Sequence, residues 1–490
     1  MRTRSERNFK QNKPIGGILL SLIQLLLTAL FLALIFKLDI LPLKYTLVAA
    51  GFLGMTWVLV FLSQIKLRFH VFGKVVSVLV SLVLILGSFY IYKTNSTIQN
   101  VVGNSNTKVT GMVVVVMKDD PAMTLPDAKS YTFGIQSSIK NDNTDKAVEE
   151  INARTKSTIK TEEYDGFDAQ INALYSGEVK AIIYDSAFDG TIKEFFTDYE
   201  DKVRVLDSIA ITEETVPEVT EPDGSKITKE PFNIFISGID VYGDISQTSR
   251  SDVNIIATVN PETKTILLTT TPRDYYVEFP GVTDGKFDKL THAGIYGVDT
   301  SMETLGEIYD IKVSNYIRIN FTSFIDIIDA LDGVSVHSEQ TFSAGSFTFI
   351  RGENKMDGEK ALVFARERKS FVDGDFQRGR NQMEVLKAVI KKLSSSALLT
   401  NYAAFMDTLS DSIQTDFSSG QIRSLVRMQT TDNAAWNIQT IAAKGTPAMR
   451  YCYSYSGSML SVDLPDEDSI ALIKNYMQRV MDGETIKIEK

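Results

Sequence analysis

Three long apolar runs open the chain, and a different pattern follows them. Residues 15–36 hold no charged side chain, and residues 45–65 and 75–92 repeat this, each bounded by Lys or Arg. A run of that length crosses a bilayer as a helix, so the pattern predicts three transmembrane spans. The first is long for the apolar part of a signal peptide, lacks a small-residue cleavage site, and has two more spans behind it. The basic residues set the orientation. Arg2, Arg4, Arg7, Lys10 and Lys13 precede the first span, and Lys66, Arg68 and Lys74 lie between the second and third. The intervening loop has only Lys37 and Lys44, offset by Asp39. Positive charge stays on the cytoplasmic side, so the tail is expected inside and everything after about residue 93 outside, at the membrane surface.

Beyond residue 93 short β-branched runs alternate with helical spacings, the signature of an α/β fold. Residues 94–107 are small and polar and read as a stalk. Strands are expected at 113–117, 131–136 and 179–184, with helices at 145–155, behind Asn143 as cap, and at 167–175. These make a small accessory α/β domain at 94–211, whose acids, among them Asp119, Asp120, Glu162 and Glu163, read as a solvated face. Residues 212–231 are acidic, Pro-rich and aperiodic, and read as a linker. A second α/β domain, a mixed sheet flanked by helices, is expected over 232–490. In it 233–239 reads as a buried strand ending at Asp240, and 252–259 and 265–271 as a hairpin turning at Asn260 and Pro261. Helices are expected at 303–309, 321–331, 377–393, 398–409, 420–428 and 465–481. Strands are expected at 335–337, 347–350, 362–365 and 437–441.

Charge and cysteine narrow the chemistry. Residues 1–93 hold 11 Lys and Arg against 2 acids, which leaves 40 against 59 for the remainder. So acidic an outer part is unsuited to general nucleic-acid binding, and no nucleic acid is expected as partner. One cysteine, Cys452, excludes an intrachain disulfide. Three scattered histidines argue against a His/Cys zinc site, leaving a hard, oxygen-bound metal as the expected kind. The basic groups of the outer part are concentrated. Arg366, Arg368, Arg378 and Arg380 fall within fifteen residues. If 362–365 is a strand, Arg366 and Arg368 leave it on one side. With Asp375 as N-cap of the next helix, Asp375, Arg378 and Gln382 share that helix's face near its N-terminus. Planar guanidinium groups there suit phosphate oxygens. The plainer alternative is a solvated surface on which these arginines pair with Glu359, Glu367, Asp373 and Asp375. The hairpin adds to the cluster: with its turn near Glu262, residue 252 lies opposite roughly residue 272, bringing Arg250, Asp252, Arg273 and Asp274 to one end.

Ser249-Arg250-Ser251-Asp252 before a strand, Asn260-Pro261 at a hairpin turn, Thr271-Pro272-Arg273-Asp274, Asn320-Phe321-Thr322-Ser323-Phe324 leading to Leu331-Asp332-Gly333-Val334, and Ala365-Arg366-Glu367-Arg368 leading to Asp375-Phe376-Gln377-Arg378-Gly379-Arg380-Asn381-Gln382 occur in that order. Together they resemble the LytR-CpsA-Psr family over roughly 232–382. The three spans and extra domain resemble its streptococcal capsule-assembly branch. The resemblance implies a Gram-positive membrane phosphotransferase that moves capsular polysaccharide from an undecaprenyl-pyrophosphate carrier to peptidoglycan through a phosphodiester, alongside other capsule-assembly proteins. With water as acceptor the same site is a pyrophosphatase. It implies that Arg273, Arg366, Arg368, Arg378 and Gln382 hold pyrophosphate with Arg250 nearby, that Asp240 and Asp252 hold Mg2+, and that an apolar channel, to which helix 321–331 contributes, takes the polyprenyl tail. Asp252 or Asp274 is the implied proton acceptor. One departure is Lys289-Leu290-Thr291-His292-Ala293, where family members usually carry Asn before the His, and a later Gly is Val298. Two other readings stand: a membrane-bound regulator of capsule genes acting through the basic tail, and a non-catalytic binder of lipid-linked polymer.

Overall fold

The computed structural model describes residues 15–65, 69–103, 107–137, 142–214, 226–241, 244–394, 402–432 and 434–488. The chain forms two compact units, Met1–Gln99 with Ser419–Asn433, and Asn100–Ser418 with Ala434–Lys490.

In the first unit the helices Ile15–Leu38, Leu43–Ile65 and His70–Gly103 are long and apolar enough to cross a membrane. Hydrogen bonds tie them together where apolar packing offers no selectivity: Trp57 Nε1 donates to the Ser21 carbonyl at 2.9 Å and Ser77 Oγ to the Leu20 carbonyl at 3.1 Å. The third helix runs well past the expected residue 92, through residues read as a stalk. Its polar side chains bond back into the helix, as Thr94 Oγ1 does to the Tyr90 carbonyl. Residues 104–106 of that stalk, and the basic tail, lie outside the described residues. The helix Ser419–Asp432 belongs to this unit. Arg427 pairs with Asp39 at 3.0 Å, Thr430 Oγ1 donates to the Ile40 carbonyl at 3.4 Å, and Arg423 donates to Asn95 at 3.1 Å.

The second unit holds two large mixed sheets. The five-stranded sheet has the order Lys160–Tyr164, Thr132–Gln136, Ala181–Asp185, Thr107–Met117, Val203–Glu214, with the first three strands mutually parallel. Alternation along Thr107–Met117 feeds two cores: Val113 and Val115 pack with Phe167, Ile171 and Leu174, and Met112, Val114 and Val116 with Phe133 and Ile151. Two strands here were not anticipated. Lys160–Tyr164 is an exposed edge without an apolar pattern, and Val203–Glu214 runs into the residues read as a linker. Residues 215–225 of that linker lie outside the described residues. The first helix starts at Asp142, so Asn143 lies inside it rather than capping it. The hairpin Gly445–Cys452 and Tyr455–Pro465 was also unforeseen; Cys452, Tyr455, Leu460 and Val462 complete the first of these cores. Pro465 thus closes a strand, and the last helix, Glu467–Met481, is capped by Asp466, which accepts from the Ser469 amide at 2.8 Å.

The six-stranded sheet has the order Gln414–Thr415, Asn315–Asn320, Phe232–Ile239, Ser251–Asn260, Thr265–Thr271, Asn437–Ala442. The second and third strands are parallel, as are the last two. The Asn260 side chain accepts from the amides of Glu262 and Thr263 and so holds the hairpin turn. Asn254 pairs with Thr271, which puts Asp252 across from residue 273, one residue from the expected register. Phe235, Ile256 and Leu267 bury one face against the helices Val298–Tyr309 and Glu467–Met481. The other face carries Ile234, Ile236, Ile255 and Ala257 and does not close, because helices Phe321–Ala330 and Asp375–Leu393 stand off it and leave a cavity.

One correction bears on the site. Residues 362–365 are not a strand but part of the helix Gly358–Arg366, capped by Asp357, which accepts from the Lys360 amide at 2.9 Å. Ala361, Leu362, Phe364 and Ala365 are buried at helical spacing. A four-residue apolar window does not distinguish the two periods; the cap and Ala361 decide it. The helix expected at 398–409 is Tyr402–Ser412, and residues 395–401 lie outside the described residues.

Candidate active site

The cavity has a volume of about 500 Å3. Most of its wall is apolar, with Ile234, Ile236 and Ile255 from the sheet, Phe321, Phe324 and Ile327 from one helix, Val385, Leu386 and Val389 from another, and Phe405 and Leu409 from a third. One end is charged. Asp240, Asp252, Arg273, Arg366, Arg368, Arg378 and Gln382 all line it, four arginines against two aspartates.

Each arrives by a simple local route. Asp240 follows the strand Phe232–Ile239, and Asp252 and Arg273 face each other at the open end of the hairpin. Arg273 Nη1 donates to Asp252 Oδ2 at 2.9 Å, and Thr291 Oγ1 donates to Asp252 Oδ1 at 2.9 Å. Asp274 takes the buried ammonium of Lys289 at 2.6 Å. The helix Asp375–Leu393 comes close to the hairpin because residue 379 is glycine: a Cβ there would meet Thr270 Cγ2 at 3.1 Å. That approach sets Arg378 beside Arg273. Asp375 is the first residue of this helix rather than its cap, and its carboxylate pairs with Arg378 at 2.7 Å; Gly374, at φ 50°, takes the cap position. Gln382 Nε2 donates to the Ala365 carbonyl at 3.2 Å and Asn381 Nδ2 to that of Phe364 at 3.3 Å, lashing this helix to Gly358–Arg366. Arg366 is therefore the last residue of a helix and Arg368 lies in the loop beyond it. Arg366 lies over the Phe321 ring at 4.1 Å and is 3.8 Å from Asp240. Arg250 does not line the cavity. It lies 3.8 Å from Asp240 and 3.9 Å from Glu194, packed under Gly190 of the helix Asp189–Phe195. Arg380 points elsewhere, to Asp373 at 2.9 Å and Glu339 at 3.4 Å, which is the surface-pairing alternative realised at that one position.

Burial pushes the Asp252 carboxyl up, but Arg273, Arg250 and Arg378 outweigh it and hold it at about 2. Asp274 is likewise held below the ordinary range against its burial, by Lys289 and then Arg273. Both stay ionised at neutral pH, which makes either a weak base for the proton-acceptor role the resemblance implied. Arg378 is pulled below its ordinary value by burial, and the neighbouring Arg273 adds to that. Among the described residues Nε of Arg273 and Nε of Arg378 are buried without a hydrogen-bond acceptor. Oδ1 of Asp274 and Oδ1 of Asp375, though ion-paired, are likewise buried without a hydrogen bond, so water or an anion can complete the guanidinium N–H groups.

The two residues of the departing segment have partners of their own. Lys289 serves Asp274. His292 Nδ1 lies 2.7 Å from Asp288 Oδ1, and its Nε2 lies 3.4 Å from Thr191 Oγ1 of the five-stranded region. Thr291, on Asp252, was not singled out from the sequence; no spacing rule marks it. Asp463 was missed too, because its strand was missed. Its backbone N–H donates to the Asp274 carbonyl at 2.7 Å, and burial raises its carboxyl to about 6, with Asp274 and Asp375 adding to the rise.

Fold and site define a class: a mixed α/β domain that presents arginines at the polar end of an apolar cavity, behind three apolar N-terminal helices. The LytR_cpsA_psr family model matches residues 200–467, more than half of the chain, and the chain belongs to this family. It is 33% identical over 223 residues to the polyisoprenyl-teichoic acid–peptidoglycan teichoic acid transferase TagU of Enterococcus faecalis, covering 45% of this chain and 73% of the relative. It is 32% identical over 265 residues to the corresponding enzyme TagT of Bacillus subtilis, covering 52% and 80%. Among solved structures, that of B. subtilis TagV aligns with a TM-score of 0.44 at 27% identity, over 52% of this chain and 98% of that one.

Proposed function

We propose that this chain is a membrane-anchored phosphotransferase that moves a capsular polysaccharide from a polyprenyl-pyrophosphate carrier to peptidoglycan. One observation carries the reading: four arginines and two aspartates close one end of an otherwise apolar cavity of about 500 Å3. Such a site suits a ligand with a dianionic head and a long hydrocarbon tail. The arginine excess over aspartate is two, and a diphosphate diester carries two negative charges. The polyprenyl tail would lie along Phe321, Phe324, Leu386 and Val389. Arg273 and Arg378 have N–H groups left over for the phosphates, and Arg366 and Arg368 line the same cavity.

A sugar hydroxyl of the acceptor attacks the sugar-linked phosphorus, the bond from that phosphorus to the bridging oxygen breaks, and lipid monophosphate leaves. Charge grows on the departing phosphate, where fixed guanidinium groups lower the barrier without reorganising. Water in place of the sugar gives hydrolysis by the same route. Asp240 and Asp252 are the residues that would hold an Mg2+ ion, Asp252 with oxygens that also accept from Arg273 and Thr291. Both line the cavity, Asp240 has only the looser 3.8 Å guanidinium contacts, and no three His, Cys, Asp or Glu cluster among the described residues. A cation that keeps substrate oxygens in its shell needs no more than two carboxylates, and when bound it would neutralise charge on the pyrophosphate.

On this reading the anchor is the three-helix segment, and the domain lies on the outer face. Supporting this, Ser419–Asp432 reaches both Asp39, between the first two spans, and Asn95, after the third, the segments expected outside. Incubating the full-length protein in nanodiscs with a lipid-pyrophosphate oligosaccharide and a peptidoglycan oligomer tests the reading. Lipid monophosphate with a joined glycan is expected. Binding without turnover would leave a carrier of lipid-linked polymer, and lipid monophosphate without joining a pyrophosphatase.

A further inference from the structure

We propose that an exposed aromatic ledge, made by Tyr276, Phe287, Tyr451 and Tyr453, is a saccharide-binding subsite that holds a glycan chain beside the phosphate-reading arginines. The proposal rests on the reading above that a glycan is transferred or accepts.

The ledge begins at the site. Arg273 lines the cavity, while its neighbours Asp274 and Lys289 do not, so the contacts Arg273 to Asp274 to Lys289 lead away from the cavity's polar end. Lys289 stands opposite Tyr276 in the two-stranded ribbon of Tyr276–Glu278 and Phe287–Lys289. Opposed residues share a face, as do residues two apart on one strand. Lys289, Tyr276 and Phe287 therefore form one row, buried at Lys289, half-buried at Tyr276 and 45% exposed at Phe287. Val277 and Asp288 point the other way and are buried.

The rings are held in place. Tyr276 and Phe287 stack with centroids 5.2 Å apart. The Tyr276 hydroxyl donates to the Tyr451 carbonyl at 2.8 Å, and the Tyr453 amide donates to the Phe287 carbonyl at 3.0 Å. Tyr451 is 60% exposed, and the Lys286 ammonium lies 5.7 Å from the Tyr453 ring centre. The Tyr276 ring is fixed through its hydroxyl and Phe287 by stacking on it, and the backbone that carries Tyr451 and Tyr453 is tied beside them, which makes an apolar surface with polar groups at its margin. A pyranose matches it, with an apolar C–H face for the rings and a rim of hydroxyls for the phenols and Lys286. The order of groups on a lipid-linked substrate agrees: tail in the cavity, phosphates at the arginines, sugar next. The glycan could be the polymer or the peptidoglycan acceptor.

The test measures binding of two soluble probes, a lipid-free capsular oligosaccharide and a peptidoglycan glycan oligomer, to full-length protein in nanodiscs. Phe287→Ala and Tyr451→Ala remove exposed side chains. Each is expected to weaken at least one probe about 3- to 10-fold, the scale of one aromatic contact, and the probe affected identifies the source. Sugar-free polyprenyl pyrophosphate should bind all three proteins alike. If it binds while both variants hold both glycans as the unaltered protein does, or if neither glycan binds, the ledge is no saccharide site. If polyprenyl pyrophosphate itself fails to bind, the underlying function falls instead.

Discussion

Gly190→Ala tests whether the five-stranded region is a passenger or a part of the site. Gly190 packs against the Arg250 guanidinium so closely that a Cβ would stand 2.6 Å from Arg250 Cζ and 2.9 Å from Nη1. Ordinary carbon contact is roughly 3.5–4 Å, so the guanidinium must withdraw by about 1 Å. The end of a flexible side chain yields easily, and the melting temperature should change little. Position is another matter. Arg250 lies 3.8 Å from Asp240, where two unit charges at an effective dielectric constant of about 20 interact by about 4 kcal/mol. A displacement of about 1 Å changes that by about 1 kcal/mol, or about fivefold in rate if it is felt in the transition state. The assay is release of lipid monophosphate at limiting substrate, beside a thermal melt, for Gly190→Ala, Arg250→Ala and the double variant. A fivefold loss in the glycine variant, absent when Arg250 is already alanine, is expected. Full activity in Gly190→Ala, or an undiminished loss in the Arg250→Ala background, would refute the positioning argument.

Asp252→Asn leaves the buried Arg273 short of a counterion and should lower the melting temperature, by up to about 3–5 kcal/mol in stability, less whatever Asp274 makes up. The Asp252 carboxyl, held at about 2 against an ordinary 3.8, contributes stability that is present above pH 4 and lost as pH falls toward 2, so the variant should also flatten the acid limb of a stability profile. Asp185 behaves oppositely: burial raises it to about 6, so stability declines as pH rises from 4 to 6, and Asp185→Asn should melt higher than the parent at pH 7.5 but not at pH 4. Arg366→Lys and Arg368→Lys keep charge but lose the bidentate fork, and turnover at limiting substrate should fall clearly in each; full activity in both would make them surface charges. Protease added to intact protoplasts should digest the chain beyond residue 93 and spare an epitope on the N-terminal tail, and the reverse pattern would invert the topology.

How much of this was legible in the sequence depended on how local each signal is. The three spans, the hairpin and the helix Asp375–Leu393 declare themselves by run length, turn chemistry and spacing within about twenty residues. The hairpin alone brought Asp252 to Arg273, since its register follows from the turn. Residues 362–365 went wrong because four apolar residues carry no period, and the deciding cap, Asp357, stood outside the window. The hairpin Gly445–Cys452 and Tyr455–Pro465 went unread because its turn, Tyr453-Ser454, carries no Gly, Asn or Asp signal, and the strand Val203–Glu214 because its partner, Thr107–Met117, lies far away in the chain. Contacts of that range leave no periodic trace in either segment. The same holds for the covering of Arg250 by Gly190, sixty residues earlier in the chain, and for the ledge, whose aromatic residues come from three separate segments.

The arginines of the site cluster despite their mutual repulsion. Arg273 and Arg378 are both nearly enclosed, and burial pulls Arg378 below its ordinary value. Asp252, Asp274 and Asp375 balance Arg273, Arg378 and Lys289 in charge, yet among the described residues Nε of Arg273 and Nε of Arg378 keep no acceptor. Further carboxylates placed on these N–H groups would occupy what a phosphate would use. The arrangement stops short of full hydrogen bonding, and on the proposed reading the unfilled N–H groups are what a pyrophosphate would take. Because the apolar cavity abuts this end, an anion whose attached group also leaves water would gain at both ends of the site. On the proposed reading, preference for a lipid-linked diphosphate over free phosphate would then come from the cavity, with no additional recognition element at the arginines.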